Sequence, residues 1–423
     1  MHQPTLREMI FYAWKNSDFY RQFWQTHNFN PEKDFHDISD LKKIPVLTKT
    51  DLLAATMSER SILNSNDGYY FTDISSGTGG KPLVILKQYH SMPLYFDYIL
   101  DLVKISRISF LALRPTSSAT AFLGAGIAGQ FLPRGSIISL GDVNDFIYSA
   151  TIALNIEANF LVLRPATAIS FAASLEKQGY SPSKIKFLYL SGEPITLAAI
   201  SFLRKVYSNA TIIYTYAMTE GPASMGIRSS LCTTLEDLSP NAYHLNIRDF
   251  FFETSDKALL VTSLHELPTP LIRFKNGDQT IIKDNFQCSC GFPAGKIAII
   301  GPRSGEDSYK IGNFFFQASE IHKALAKLNE FFTENFELQV EQIAEKDQLV
   351  LTLDFTLQTI NNPTPFLTDA IREVLEREVR ISRSQTLGDA IGKGYVMPIN
   401  IRFSSSLSTS RILPPQEFMK HFL

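Results

Sequence analysis

Two short apolar runs decide the fold of this chain: KFLYL at residues 186–190 and TIIY at residues 211–214. Longer segments with helical periodicity separate them from each other and from earlier runs of the same kind, which are Ile108–Leu113, Ser136–Leu140 and Asn159–Leu163. Alternation of strands and helices predicts βαβ units. We therefore expect an α/β fold in which these runs form a parallel sheet.

The segments on either side of this region have different patterns. Residues 5–28 read as helical, and residues 257–285 read as antiparallel strands joined by turns. Beyond residue 303, two strand-like runs and a helical run predict a small α+β unit: Phe336–Gln342, Gln348–Phe355 and Pro365–Val379. We therefore expect a large N-terminal domain over residues 1–302, with mainly parallel sheets, helices and a β-rich subdomain, and a small α+β domain over residues 303–423.

Composition excludes several classes of protein. Of the 423 residues, 44 % are apolar and 19 % are charged, which is the balance of a globular protein rather than a disordered one. A net charge of −2 gives no field that would gather nucleic acid. Three cysteines are too few for a disulfide framework and fit a reducing compartment. With no signal peptide and no membrane span in the pattern, we expect a cytoplasmic protein.

A glycine-rich loop gives the sharpest local signal. It reads SSGTGGKP over residues 75–82. Its glycines permit backbone angles that other residues resist, so consecutive N–H groups can line a phosphate, and hydroxyls and a lysine add donors. The spacing is not that of a Walker P-loop. A flexible surface turn is the alternative interpretation.

Two further motifs carry oxygen and aromatic groups. The first is YTYAMTE at residues 214–220, at the end of a predicted parallel strand, where open α/β sheets bind ligands. An aromatic ring in this motif can stack on a base, and Glu220 can hold Mg²⁺. Taken alone, Thr219-Glu220 is more often the start of a helix. The second is TPLIRFKNGD at residues 269–278. Asn276-Gly277 is a hairpin signal, and Asp278 can accept hydrogen bonds from ribose hydroxyls or be a plain turn residue.

In this order and spacing, the three motifs resemble those of the adenylate-forming superfamily. Other stretches are similar to its phenylacetate–CoA ligase branch: Tyr12 to Arg21, Ile44 to Leu52, Ser191 to Pro194 and Gly301 to Phe316. The resemblance covers residues from about 9 to 325. It implies activation of an aryl or acyl carboxylic acid by ATP and Mg²⁺ to acyl-AMP, release of pyrophosphate, and transfer to a thiol, with coenzyme A expected. It also implies that the small C-terminal domain is mobile.

The resemblance assigns site residues by their position in the motifs. The phosphates of ATP would be held by Ser75, Ser76, Gly77, Thr78, Gly79, Gly80 and Lys81. Adenine and ribose would be bound by Ser191, Gly192, Glu193, Pro194, Tyr216, Ala217, Asp278 and Arg303. Lys81, Thr219 and Glu220 would be catalytic, with Glu220 holding Mg²⁺. Phe122, Phe131 and Tyr214 would wall the acyl pocket, although they are equally ordinary core aromatics.

A set of thiols and one imidazole suggests a second metal. Cys288-Ser289-Cys290 is a close pair of thiols, Cys232 is the remaining cysteine and His244 follows it. Three cysteines and a histidine form a complete tetrahedral set for structural Zn²⁺, within a subdomain at about residues 228–295. Similar sets occur in this ligase branch. The alternative is three reduced core thiols and a core histidine.

Two positions depart from the family. Gly305 stands where a hinge aspartate is usual. The C-terminal stretch Ser406–Leu413 has no lysine where the family has one for adenylation; Arg411 offers charge there, and Lys393 comes before the last predicted strand. Alternatives therefore stay open: acyl transfer to a carrier protein or an amine, or a degenerate ATP-binding scaffold. A homodimer is open as well.

Overall fold

The computed structural model describes residues 4–63, 70–75, 82–88, 107–114, 134–192, 195, 197–221, 224–265, 267–293, 295–303, 308–311, 314–327, 336–343, 346–354, 365–381, 385–404 and 411–412. Within these ranges, a wide sheet organises the N-terminal part of the chain and a separate four-stranded sheet organises the C-terminal part. None of the helices that it describes is long and apolar enough to cross a membrane.

The N-terminal segment forms short capped helices followed by a hairpin. The helices are α1 (Leu6–Asn16), α2 (Asp18–Thr26), α3 (Pro31–Asp34), α4 (Lys49–Ala54) and α5 (Met57–Arg60), and the hairpin is β1 (Tyr70–Ile74) with β2 (Val84–Gln88). The single helical stretch expected over 5–28 is broken at Ser17, because its side chain accepts the Tyr20 N–H and caps α2. The capping box at Thr48 and Asp51 is confirmed as the start of α4.

Aromatic residues of α1 and α2 pack against the segment that leads to Asp278. Tyr20 and Trp24 are fully buried in a cluster with Leu271 and Phe274. The Tyr20 hydroxyl donates to Pro270 O at 2.7 Å and accepts the Ile272 N–H at 3.1 Å. These contacts fix the first residues of the TPLIRFKNGD motif to the N-terminal helices.

The predicted parallel sheet is present. Its strands are β3 (Ser109–Arg114), β4 (Ile137–Asp142), β5 (Phe160–Leu163), β6 (Phe187–Ser191) and β7 (Thr211–Ala217), in the order β4-β3-β5-β6-β7. The helices between them are α6 (Phe146–Asn155), α7 (Pro165–Lys177) and α8 (Leu197–Val206). Leu188 and Ile212 point into one core and Phe187 and Ile213 into another. Burial on both faces explains why the runs are continuously apolar.

An antiparallel half extends the same sheet. It consists of β8 (Ser224–Ser229), α9 (Thr233–Leu238), β9 (Ala242–Leu245), β10 (Phe250–Ser255), β11 (Ala258–Ser263), β12 (Phe274–Phe286) and β13 (Gly295–Arg303). The order β10-β11-β12-β13-β9-β8 joins the parallel half through the antiparallel pair β8–β7. The expected β-rich subdomain is therefore continuous with the parallel strands, in a sheet of 11 strands.

The C-terminal part has its own sheet and core. Its elements are β14 (Ser308–Ile311), β15 (Phe314–Gln317), α10 (Ala318–Ala326), β16 (Phe336–Ile343), β17 (Lys346–Asp354), α11 (Pro365–Glu378), α12 (Leu387–Gly392), β18 (Met397–Ser404) and β19 (Arg411–Ile412). The order is β18-β17-β16-β19, with apolar side chains of α10, α11 and α12 packed in one cluster with those of the strands. Ile311 already belongs to this core.

Candidate nucleotide site and cysteine–histidine cluster

The ends of β6 and β7 bring two predicted motifs together. The two strands are parallel neighbours, and Ser191 pairs in register with Thr215. Ser191 and Gly192 therefore leave the sheet beside Tyr216 and Ala217. Thr219 and Glu220 form a half-buried turn between β7 and β8. This is the edge at which open α/β sheets bind ligands.

Tyr216, Asn276 and Asp278 form a closed hydrogen-bonded group. The Tyr216 hydroxyl donates to Asp278 Oδ2 at 2.6 Å, and Asn276 Nδ2 donates to the same oxygen at 3.1 Å. Asn276 Nδ2 lies 2.5 Å from the Tyr216 hydroxyl, and Asn276 Oδ1 accepts the Asp278 N–H at 3.0 Å. Two donors on one carboxylate oxygen fix the orientation of the Asp278 side chain.

The interpretation of Asn276-Gly277 as a hairpin turn is wrong. Both residues lie inside β12, where the pairing with β11 shifts register between Ala258 and Leu260. Gly277 has φ of +90°, so it serves an irregularity in the strand that a residue with a side chain would strain. The Asn-Gly pair correctly indicates a residue with positive φ, but Gly277 lies in a bulge and not in a turn.

The Tyr216 ring stacks on a second tyrosine. Tyr243, on β9, stacks on Tyr216 with ring centroids 5.8 Å apart and planes 27° from parallel. Gly226, on the intervening β8, makes this possible. A Cβ there would lie 3.0 Å from Tyr243 Cβ and 3.1 Å from His244 O. The sequence did not predict Tyr243 as a site residue, and it predicted Asn276 only as part of a hairpin turn.

The glycine-rich loop closes the β1–β2 hairpin. Ile74 pairs with Val84, so the loop leaves and re-enters at this end of the hairpin. Ser75, which is 6 % exposed, accepts the Leu83 N–H on its side-chain oxygen at 2.9 Å, and its own N–H donates to Leu83 O at 2.9 Å. Ser75 thus holds the base of the loop.

Some predicted site residues lie outside the described part of the chain. They are Ser76, Gly77, Thr78, Gly79, Gly80 and Lys81 of the loop, Glu193 and Pro194, and the two pocket phenylalanines Phe122 and Phe131. The backbone of Arg303 is described, and it pairs in register with Asp278 across β12 and β13. Arg303 and the proposed ribose carboxylate therefore occupy neighbouring strands.

Tyr214 packs in the main core beneath a buried arginine. It is 2 % exposed, and the Arg228 guanidinium lies 4.1 Å from its ring centroid. Arg228 in turn donates to Glu236 Oε2 and to Pro240 O, each at 2.8 Å. Burial raises the pKa of Tyr214 to about 12. Its role in an acyl pocket stays a prediction.

The predicted zinc ligands converge. One ligand atom from each of Cys232, His244, Cys288 and Cys290 lies within 4.8 Å of all the others. Cys232 precedes α9, His244 is on β9, and the other two thiols follow β12. Cys290 Sγ is 3.4 Å from His244 Nε2.

The chemistry of this cluster fits a structural metal ion. Cys232, Cys288 and His244 are buried, and Cys290 is half-buried. Burial lowers the pKa of His244 to about 4, which leaves the imidazole neutral and able to donate a lone pair. Three sulfurs and one nitrogen at such spacing match the tetrahedral preference of Zn²⁺.

Comparison with known proteins gives the fold. No protein-family model and no curated protein matches the sequence. A structure of 2-hydroxyisobutyryl-CoA ligase with 2-HIB-AMP and CoA, in the thioesterification state, matches 99 % of this chain and 90 % of its own at 17 % identity and a TM-score of 0.68. The same ligase in the postadenylation state matches 99 % and 89 %, at 16 % identity and a TM-score of 0.61.

A second kind of enzyme shares the architecture. Amide bond synthetase McbA from Marinactinospora thermotolerans matches 83 % of this chain and 68 % of its own, at 12 % identity and a TM-score of 0.52. Identities this low establish the architecture and not the reaction. The chain therefore has the fold of the adenylate-forming enzymes, as its motifs predicted.

Proposed function

We propose that this protein is an acid–thiol ligase that converts an aryl or acyl carboxylic acid into acyl-AMP and then into a thioester of coenzyme A. The observation that carries the proposal is the group of Tyr216, Asn276 and Asp278, held at the end of β7 beside Ser191 and Gly192. A fixed carboxylate next to an aromatic ring is the arrangement that a ribose and its base require. The shared fold with a CoA ligase supports the same reaction class.

The roles of the nucleotide residues follow from their chemistry. Asp278 accepts hydrogen bonds from ribose hydroxyls, and Tyr216, backed by Tyr243, lies beside adenine. Ser75 and the loop that it anchors donate to the phosphates. Thr219 contacts phosphate. Glu220 would hold Mg²⁺, which suits a half-exposed carboxylate at a strand end, and the ion would neutralise phosphate charge.

Catalysis is then a matter of position and charge. A carboxylate oxygen attacks the α-phosphorus, the bond to the bridging oxygen breaks, and pyrophosphate leaves. Loop N–H groups and the proposed Lys81 stabilise the charge that builds up on the phosphoryl oxygens. The thiol then displaces AMP from the acyl carbon. The acid and nucleotide must be held in line for the first step, which is the contribution of the residues above.

The cysteine–histidine cluster is proposed as a structural zinc site. Cys232, His244, Cys288 and Cys290 would complete a tetrahedral shell and leave no open position for substrate. Zinc would then tie the loop before α9 to the turn after β12, the strand that carries Asn276 and Asp278.

An amine is the second candidate for the acceptor of the acyl group. The observation in its favour is the fold shared with an amide bond synthetase.

Lys393, at the C-terminal end of α12, is exposed and is not assigned the role of the family's adenylation lysine. The phenylacetate–CoA ligase branch, a cytoplasmic location and a homodimer stay predictions from the sequence.

Product analysis tests the proposal. The protein is incubated with ATP, Mg²⁺, coenzyme A and pooled aryl and fatty acids, and products are identified by mass spectrometry. Acyl-CoA is the expected product. If acyl-AMP accumulates in the presence of CoA and is consumed when a carrier protein or an amine is added, that compound is the acceptor instead of CoA. If the pool yields neither acyl-AMP nor a thioester, the scaffold interpretation holds instead.

A further inference from the structure

The side-chain amide of Asn241 hydrogen-bonds the backbone of Ile195, which follows the proposed adenine-side residues. Asn241 Oδ1 accepts the Ile195 N–H at 2.9 Å, and Asn241 Nδ2 donates to Ile195 O at 2.9 Å. Both backbone groups of one residue are thus satisfied by one side chain, as a neighbouring strand would satisfy them. The two residues are 46 positions apart in sequence, so this is a tertiary contact.

These two hydrogen bonds fix Ile195, on the C-terminal side of the proposed adenine-side residues. Ser191 is the last residue of β6 and is held by pairing with β7. Gly192 turns the chain with φ of +92°, and Ile195 is 2 % exposed just before α8. Ser191 is therefore held by the sheet and Ile195 by Asn241.

Asn241 is itself held rigidly. Its N–H donates to Ser239 Oγ at 3.1 Å, and its carbonyl accepts the Ile300 N–H at 3.0 Å from β13. Two residues further along the chain, Tyr243 stacks on Tyr216. Asn241, just before β9, and Tyr243, within it, thus contact Ile195 and Tyr216 respectively.

We propose that Asn241 is a positioning residue that holds Ile195, next to the proposed adenine-side residues Ser191 and Gly192, in place for the nucleotide base. This inference rests on the proposed function, because it assigns the adenine-side residues to ATP. Without the amide, two buried backbone groups of Ile195 lose their partner, and nucleotide binding would have to restore the position of Ile195. The expected result is a weaker affinity for ATP with little change in the affinity for the acid.

The chain offers a matched control at the opposite edge of the sheet. Asn159 Oδ1 accepts the Ser109 N–H at 2.9 Å, and Asn159 Nδ2 donates to Arg107 O at 3.2 Å. Like Asn241, it is half-buried and bonds backbone groups of another segment through its amide. It lies at the start of β5, away from the carboxyl ends of the strands. Asn159→Ala removes a comparable contact without touching Ile195.

The experiment compares Asn241→Ala, Asn241→Asp and Asn159→Ala with the wild type. Calorimetry gives Kd for ATP, initial rates give KM for each substrate, and hydrogen exchange reports the protection of the segment around Ile195. Asn241→Ala should raise Kd and KM for ATP about tenfold, leave KM for the acid within about twofold, and lower protection of that segment. Asn241→Asp keeps the acceptor but sets a carboxylate against Ile195 O, so it should be no better. Asn159→Ala should lose stability only.

The outcomes separate this inference from the proposed function. If the wild type binds ATP and Asn241→Ala binds it equally well, the positioning role is wrong while the proposed function stands. Unchanged protection around Ile195 in Asn241→Ala would also overturn it. A wild type that does not bind ATP overturns both.

Discussion

Removing the Tyr216 hydroxyl tests how the proposed ribose carboxylate is held. Tyr216→Phe deletes the donor that lies 2.6 Å from Asp278 Oδ2 and keeps the ring that stacks on Tyr243. Asp278 keeps the weaker contact from Asn276 at 3.1 Å. Hydrogen bonds to a charged group contribute about 1.5–3 kcal/mol, and the lower end applies because one donor remains. A loss of about 1.5 kcal/mol weakens the affinity for ATP by slightly more than about tenfold.

Titration calorimetry with ATP measures this loss. Tyr180→Phe is the matched control, since its buried hydroxyl donates at 2.6 Å to Ala158 O, a backbone group outside the proposed site. The control should lower the free energy of unfolding and leave Kd for ATP unchanged. If Tyr216→Phe binds ATP as tightly as the wild type, or if Tyr180→Phe weakens binding equally, the assignment of Asp278 to the ribose is refuted.

Three further changes address the metal sites and the N-terminal helices. Glu220→Ala should raise the barrier to acid-dependent pyrophosphate exchange by about 3 kcal/mol or more and leave thermal unfolding unchanged. Near-normal exchange in this variant would refute the Mg²⁺ role. Cys288→Ser should lose zinc, measured by elemental analysis, and unfold at lower denaturant, whereas Ser289→Ala between the two thiols should keep the metal; no zinc in the wild type would leave the thiols as core residues. Tyr20→Phe breaks two buried hydrogen bonds and should cost about 2 kcal/mol in urea unfolding, with loss below about 0.5 kcal/mol contradicting the proposed docking of α2.

Local rules located most of the elements. The runs expected at Ile108–Leu113 and Lys186–Leu190 became β3 and β6 with ends shifted by a residue, because continuous apolar runs are what a strand buried on both faces requires. The capping box at Thr48 predicted the start of α4, because the side chains of Thr48 and Asp51 satisfy backbone N–H groups there. What the pattern did not reveal was that the antiparallel strands continue the parallel sheet, since strand neighbours are decided by tertiary packing.

The candidate site was predicted in part. Tyr216 and Asp278 were identified from separate motifs, and the structure joins them although they are 62 residues apart. The sequence predicts Asn276 as a turn residue, and this prediction is wrong because the same Asn-Gly pair can serve a hairpin or a bulge. Asn241 and Tyr243 carried no signal because each acts through a contact with a distant segment. Residues that position other residues depend on the fold, and a single sequence does not mark them.

Acid-dependent exchange of labelled pyrophosphate into ATP tests the central claim most directly. It detects reversible acyl-AMP formation and needs no knowledge of the acceptor. The account predicts that at least one acid in an aryl and fatty acid panel gives exchange that requires Mg²⁺ and falls in Glu220→Ala and Asp278→Ala. ATP binding by calorimetry without exchange for any acid in the panel would contradict adenylation and identify the protein as an ATP-binding scaffold.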